Sequence, residues 1–515
     1  MVDRTLFISR PRGAAATARN AAGGRAYASR PDERLAQLAL TGSLGDAFHA
    51  SAEVQLAELV DAAERVSVET LARTAVYARE RGHRKDVPAL LLAVLSRRDT
   101  QVFELVFDRV ATDAVVLRAF VQIMRSGAAG RRSLGTTAKR CVARWLNLAS
   151  DARLVGSMVG QQPSLADLVR MVHPCPPSPG RGALYAWLLG RPHDEALLPG
   201  PVRELLAFRR GETDALPAVP HRLLTDRELT VEQWCALARG VGWQALRMNL
   251  ASFARHGVFE REGMAELVAE RLADRAVIAR SRVLPHQLLA AARFGGDGLP
   301  VAVREALARA LDASVDNAPR VDGRVVVCPD VSGSMTSPVS GYRRGATTAV
   351  RCVDVAALFA AAVVRGNPGT TVMPFDTRVH EHRARRHEGV AALAGRLARH
   401  GGGGTDCSAP LRAIEASRRP VDLVVLVSDN ESWIGRARGH RTAAMETWER
   451  IRRANPAARL ACIDVAPYDT VQLESREDVL NVGGFSDAVF DAVARFARGE
   501  HGARCWTREI AEVVL

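Results

Sequence analysis

In the stretch Val325-Val326-Val327-Cys328-Pro329-Asp330-Val331-Ser332-Gly333-Ser334-Met335, an apolar β-branched run breaks directly into Asp-x-Ser-x-Ser. A short run of this kind reads as a buried strand that ends in a polar loop. Such a loop gathers one carboxylate and two hydroxyls at the carboxyl end of a sheet, where open α/β sheets bind their ligands. Upstream of it the chain reads as helix after helix; downstream, strand and helix alternate.

Downstream, Val321-Asp322-Gly323 makes a linker, and residues 321–515 read as a doubly wound, mostly parallel α/β sheet. Strands are predicted at 324–328, 371–375, 422–427, 459–464 and 479–482, with helices near 347–365, 388–399, 408–417, 442–454 and 486–497. Two more pieces fall where this sheet would bring them to the first loop. One is Gly401-Gly402-Gly403-Gly404-Thr405-Asp406, whose glycines let backbone pass close to an ion. The other is Val427-Ser428-Asp429-Asn430-Glu431, which closes an apolar run from Leu423 as Asp330 closes the first. Asp330, Ser332, Ser334, Thr405 and Asp429 are therefore the candidate metal site. Hard oxygen donors without Cys or His suit a divalent cation, Mg²⁺ first and Mn²⁺ or Ca²⁺ as alternatives.

No reaction machinery accompanies these groups. The sequence has no G-x-x-x-x-G-K-[ST], H-E-x-x-H or G-x-S-x-G motif. A metal hydrolase would need a placed base; Asp406 and Glu431 are available, and nothing in the sequence favours either. His380 and His382 lie in a charged segment and are expected to be solvated. The expectation is a protein without enzymatic activity.

Residues 1–30, rich in Ala, Gly, Arg and Ser, read as an extended or partly disordered N-terminal arm. Residues 31–320 read as consecutive helices. Ser67 is placed as the N-cap of a helix from Val68, and Thr230 with Gln233 has capping-box spacing. Antiparallel helices with short loops point to an all-α HEAT-like helical-repeat ring or arc, the other reading being an irregular bundle without a groove. No strict repeat of fixed period is present.

The 515 residues carry a formal charge of +13, almost all from arginine, Lys85 and Lys139 being the only lysines. Residues 1–320 hold 44 basic and 34 acidic side chains, so a polyanion partner is sought there first, against solubility and compositional drift as the plain readings. Eight cysteines are scattered without a C-x-x-C pair, which gives no support to a zinc ribbon or redox motif; Cys328 and Cys462 are expected to be buried in strands. The first residues contain no apolar signal core, and the longest apolar run, Val355–Val364, is too short to span a bilayer. A cytoplasmic protein with reduced thiols and no membrane partner is expected.

One helix predicted near 136–149 concentrates charge. Val142, Trp145, Leu146 and Ala149 take one side, Lys139, Arg140 and Arg144 the other, and Arg131 and Arg132 precede it. Five cations so placed suit phosphates, unless they form an ordinary solvated face. In Ser164–His173, Leu165, Leu168, Val169 and Val172 face inward while Arg170 and His173 lie on the flank. Arg and His can bond phosphate and stack on unpaired bases; a histidine there can also simply answer the helix dipole.

The three separated loops, in order and in context, resemble the metal-ion-dependent adhesion site of von Willebrand factor A domains. That resemblance implies direct ion contacts from Ser332, Ser334 and Thr405, water-mediated ones from Asp330 and Asp429, and an open position for a partner's carboxylate. Over nearly its full length the chain resembles the Ro 60-kDa autoantigen family, a TROVE helical module followed by an A domain, in the form of a bacterial Ro-like protein. The resemblance is carried by Asn20-Ala-Ala-Gly23-Gly24, by GRRSLGTTAKRCVARW at 130–145, by SLADLVRMVH at 164–173 and by Pro285-His286-Gln287-Leu288-Leu289. DVSGSM, GGTDCSAP and SDNES carry it in the A domain. It implies binding of small structured noncoding Y-like RNA and of single-stranded ends of misfolded RNA. A role in RNA quality control or stress response, an exoribonuclease partner and a monomeric chain are implied with it. The family's Y RNA contact histidine falls on His173, and Arg247, in LRMNL with Asn249, resembles a further family stretch. The competing readings are a metal-dependent protein-interaction adaptor that binds no RNA and a metal-dependent hydrolase.

Overall fold

The structure is a computed structural model. It describes residues 15–20, 23–42, 52–160, 162–224, 228–281, 288, 298–317, 320–338, 350–367, 369–383, 385, 389–397, 399–400, 402–429, 432, 441–465, 470–484, 487–500 and 505–515. The chain forms two compact units. The first comprises Met1–Ala52, Ile278–Ala290 and Ala308–Glu509; the second comprises Glu53–Val277, Ala291–Leu307 and Ile510–Leu515.

The first unit is built on a parallel sheet. The strands of this unit, in chain order, are β1 (Ala18–Arg19), β2 (Arg25–Ala28), β3 (Val325–Pro329), β4 (Thr371–Val372), β5 (Leu423–Ser428), β6 (Arg459–Asp464), β7 (Thr470–Val471) and β8 (Val479–Gly483). The main sheet has the order β4-β3-β5-β6-β8, with every pairing parallel. All six residues of β5 are buried and all but the last, Ser428, are apolar, as in strands covered on both faces. Helices Cys352–Gly366, Val390–Leu397, Ser408–Ser417, Ala443–Ala454 and Asp487–Arg498 alternate with the strands. The register pairs Pro329 with Val427 and Ser428 with Asp464, so the strand-end loops emerge at one edge. β4 is shorter than the predicted 371–375. Pro374 has no N–H for the ladder, and pairing resumes only as a bridge from Phe375 to Asp330.

The N-terminal arm is extended, as expected, but it is part of this unit rather than a free segment. β2 pairs antiparallel with β7, setting Tyr27 against Val471, and β1 pairs with β2. Ala16 and Tyr27 join Cys328, Cys407, Leu411, Trp448 and Cys462 in one apolar cluster. Tyr27 is the reason: an aromatic among the small residues of 13–30 has a core to enter. Residues 1–14 of the arm lie outside the described residues.

The second unit is helical. Its helices include Ala52–Glu64, Val68–Glu80, Asp86–Arg98, Thr100–Val110, Ala114–Ser126, Gly135–Leu148, Leu165–Val172, Pro179–Leu188, Gly200–Arg210, Val231–Gly240 and Met264–Ala273. Their starts follow the capping chemistry read from the sequence. Ser67 accepts from Thr70 N and Thr230–Gln233 form a reciprocal capping box, as read; Ser164–Asp167 form a second box that the sequence reading did not include. At helix Ala114–Ser126 the Asp113 carboxylate takes the cap, accepting from Val115 N and Val116 N. Of the Pro285-His286-Gln287-Leu288-Leu289 stretch only Leu288 is among the described residues.

Helices pack mainly on neighbours one or two places along the chain, the arrangement of a helical repeat. One contact recurs. Arg98 donates to the carbonyls of Ala63 and Val66, 35 and 32 residues back. Arg181 donates to Leu146 and Ala149 at the same separations, and Arg271 to Ala238 and Val241, 33 and 30 back. Each guanidinium thus caps the C-terminus of an earlier helix, where orphan carbonyls and the dipole favour a cation. The contact thus recurs at three places although the sequence has no repeat of fixed period. Phe103, Phe107 and Phe120 fill the interior with ring centroids 5.5 to 5.7 Å apart. Among the described residues no helix is long and apolar enough to cross a membrane.

Candidate functional site

The structure brings the predicted oxygen donors to one edge of the sheet. β3 delivers Asp330 and β5 delivers Asp429, and Asp330 N donates to Val427 O across the two strand ends (2.8 Å). Ser332 N donates to Asp330 Oδ1 (2.8 Å), folding the loop so that Ser332 Oγ and Ser334 Oγ stand 3.2 Å apart. The glycine loop is laced to the first by Gly333 N to Gly403 O and Gly402 N to Val331 O, both 2.9 Å. Gly402 has φ +114°, a conformation that favours glycine, and a Cβ at Gly403 would lie 2.9 Å from Asp376 Oδ2, so that carboxylate would have to shift to admit one. Thr405, at the end of that loop, is buried.

The electrostatics are those of crowded carboxylates. Burial, with the charge of Asp429 beside it, raises the Asp330 carboxyl well above the ordinary carboxylate range, against the lowering effect of hydrogen bonds from Ser428 and Ser332. Burial first, and then the charges of Asp429, Asp464 and Asp330, push the Cys352 thiol up to about 12. A buried carboxylate pair costs free energy that a divalent cation between them removes, and an all-oxygen donor set suits a hard ion. The residues fit such an ion on these grounds.

Sequence reading missed two members of this neighbourhood. Ser428 Oγ donates to Asp330 Oδ2 (2.5 Å); its place just before Asp429 was the available signal. Asp376, at a predicted strand end, packs under the glycine loop. Of the two acids considered as bases, Asp406 is committed to Arg412 (2.7 Å) and to Ser408 N (2.9 Å), and Glu431 lies outside the described residues, as do Gly401 and Asn430. The expectation that His380 and His382 are solvated needs correcting. His380 N bonds back to Pro374 O, which folds the segment inward. His380 Nε2 then lies 3.1 Å from Asp376 Oδ1, and His382 Nδ1 lies 3.1 Å from His400 Nε2.

The basic residues of the helical unit divide into two groups. Arg140 pairs with Glu104 (2.6 Å) and Arg144 with Asp108 (2.9 Å), both acids on helix Thr100–Val110. Arg131 is half-buried and reaches Ser96 O (3.4 Å). Lys139 and Arg132 are exposed. Arg170 forms an exposed pair with Asp167 (2.9 Å). His173 is the C-cap of helix Leu165–Val172 in the left-handed conformation, φ 46°, which turns the chain and leaves the residue exposed. Arg247 is half-buried beside Gln244 (3.2 Å). Helix Leu165–Val172 packs against Gly135–Leu148, so Arg170 and His173 stand on the same part of the unit as the basic helix.

Comparison with known proteins adds the following. A family model described as the Ro60 vWA domain matches residues 324–497, and one described as the TROVE domain matches 164–294. The latter span contains Arg170, His173 and Arg247 and begins after Arg131, Arg132, Lys139, Arg140 and Arg144. The RNA-binding protein RO60 of Deinococcus radiodurans is 26% identical over 520 residues, covering 94% of this chain and 95% of its own. The RNA-binding protein RO60 of Caenorhabditis elegans is 26% identical over 269 residues, 50% of this chain and 40% of its own. In fold the chain resembles the crystal structure of the Deinococcus radiodurans RO (RSR) protein, with TM-score 0.65 and 22% identity over 92% of this chain and 100% of that one. Helical repeats, a parallel sheet with Asp-x-Ser-x-Ser at its edge and both domain matches lead to one conclusion: the chain belongs to the Ro60 family, with a TROVE domain and a Ro60 vWA domain.

Proposed function

We propose that this chain is an RNA-binding protein, a ribonucleoprotein scaffold without enzymatic activity that acts in the cytoplasm as a monomer. The observation that carries the reading is the match, over 94% of the chain, to a protein named for RNA binding. Its RNA would be a small, structured Y-like noncoding RNA or the single-stranded end of a misfolded RNA. The role would lie in RNA quality control or stress response, with an exoribonuclease as partner. Arg131, Arg132, Lys139, Arg140, Arg144, Arg170, His173 and Arg247 are the proposed contacts. Phosphate would meet Lys139 and Arg132 first, since they are exposed; Arg140 and Arg144 must exchange a surface carboxylate for phosphate, and such exposed pairs contribute only ~0–1 kcal/mol. The vWA domain would bind Mg²⁺, or Mn²⁺ or Ca²⁺, through Ser332, Ser334 and Thr405 with Asp330 and Asp429 behind them. The ion would supply a docking point for a carboxylate rather than a reaction centre.

The test is affinity for an RNA with a stem and a free 3′ end, measured against salt. The double variant Arg132→Glu/Lys139→Glu is preferable to reversal at Arg140 or Arg144, which would set like charges beside Glu104 and Asp108. Affinity should fall roughly tenfold or more at moderate salt, with a salt slope shallower by about two. Unchanged affinity and slope would remove these residues from the interface; absence of binding by the wild-type chain would favour the adaptor reading, in which the domains dock proteins alone.

A further inference from the structure

The N-terminal arm reaches the cation loops through one side chain. Asn20 is buried, and its Nδ2 donates to the carbonyl of Ser432 (3.0 Å), a residue 412 positions away in the SDNES loop. Ser432 is buried as well, and its Oγ accepts from Cys407 N (3.2 Å), two residues beyond Thr405. The Cys407 thiol in turn lies 4.0 Å from Ser428 Oγ, the hydroxyl that holds Asp330 Oδ2. Gly24 completes the seat. Its N–H donates to Asn20 Oδ1 (2.6 Å), and its Cα comes so near Ser432 O that any Cβ would collide with that oxygen. The sheet pairing of Tyr27 with Val471 fixes the arm in this register.

We infer that the arm is a brace for the cation site: Asn20 and Ser432 are positioning residues that hold the glycine–threonine loop and the Asp429 loop at the separation the ion needs. The inference rests on the proposed cation binding and deepens it. Its chemistry is that of outer-shell support. A metal site keeps its ligand geometry only when the groups behind the ligands are themselves held, and loss of such support typically weakens binding ~10–100-fold. Here the support comes from a segment at the other end of the chain, so seating of the arm and occupation of the ion site stabilise one another by linkage.

Mn²⁺ titration of the full chain, followed by the electron paramagnetic resonance signal of the free ion, tests this. Asn20→Ala and Ser432→Ala should each weaken Mn²⁺ binding about tenfold, and the double variant should lose little more than the larger single loss, since both cut one bridge. Asn20→Asp retains the acceptor for Gly24 N and loses the donor to Ser432 O, so it should behave as Asn20→Ala. A role in stability alone would lower the melting temperature and leave Mn²⁺ affinity unchanged in the folded variants. That result, or additive losses in the double variant, would overturn the brace. Should Asn20→Ala fail to fold, Asn20→Asp, which keeps the bond from Gly24 N and removes only the donor to Ser432 O, carries the decision. A wild-type chain that binds no Mn²⁺ would instead overturn the cation reading on which the brace depends.

Discussion

At the scale of single residues, Asp330 concentrates the cost of the candidate site. It is buried, hydrogen-bonded on both oxygens and pressed by Asp429. Asp330→Asn keeps shape and most hydrogen-bonding capacity while removing the charge conflict. Without divalent ions this variant should melt no lower than wild type. The wild-type chain should gain about 2.7 kcal/mol of stability in Mg²⁺ at a hundred times its dissociation constant, a gain the variant should lack. Thermal melts with and without Mg²⁺ decide the matter, and equal gains in both proteins would take Asp330 out of the site. Asp478 gives the opposite pH behaviour. Burial alone would raise its carboxyl, yet hydrogen bonds from Arg476 and Trp448 and the charges of Arg476 and Arg452 hold it below the ordinary value. A depressed acid contributes stability that is present above the unfolded pKa and lost as pH falls through the folded one. Asp478→Asn should therefore cost about 1–3 kcal/mol at neutral pH and flatten the decline of the melting temperature below about pH 4. An unchanged acid limb would contradict the assignment.

At the scale of elements, what could be read from the sequence depended on the distance between partners. The Asp-x-Ser-x-Ser loop was legible because its donors are two residues apart, and the strands because their apolar runs are continuous. The pairing of Arg140 and Arg144 was not legible, since their partners lie 36 residues back on another helix and nothing local separates a phosphate-seeking arginine from a paired one. The arm's docking was hidden for the same reason, its key contact spanning 412 residues. Arg181 shows where much of the arginine surplus goes. It is buried, and it reaches Leu146 O, Ala149 O and Asp151 Oδ1 at the end of helix Gly135–Leu148. Arg181→Met leaves those carbonyls without their donor and should destabilise the helical unit by about 3 kcal/mol. Hydrogen exchange should report the loss chiefly in residues 135–160. Protection there equal to wild type would mean that the cap is dispensable.

At the scale of the whole molecule, the division of labour separates charge from coordination. The carboxylates and hydroxyls suited to an ion collect at the edge of the parallel sheet, and the arginines and lysine proposed for RNA stand on the helical repeats. Composition hinted at this through the basic surplus before residue 321, though it overstated the free charge because recurrent helix capping consumes several guanidinium groups. The measurement that bears most directly on the account is ultraviolet crosslinking of the full chain to its cellular RNA, with sequencing of the RNA and mapping of the crosslinked peptides. The account predicts a structured small RNA enriched over background, with crosslinks in peptides covering residues 131–173 and 247. RNA at background level, or crosslinks confined to residues 324–497, would contradict it.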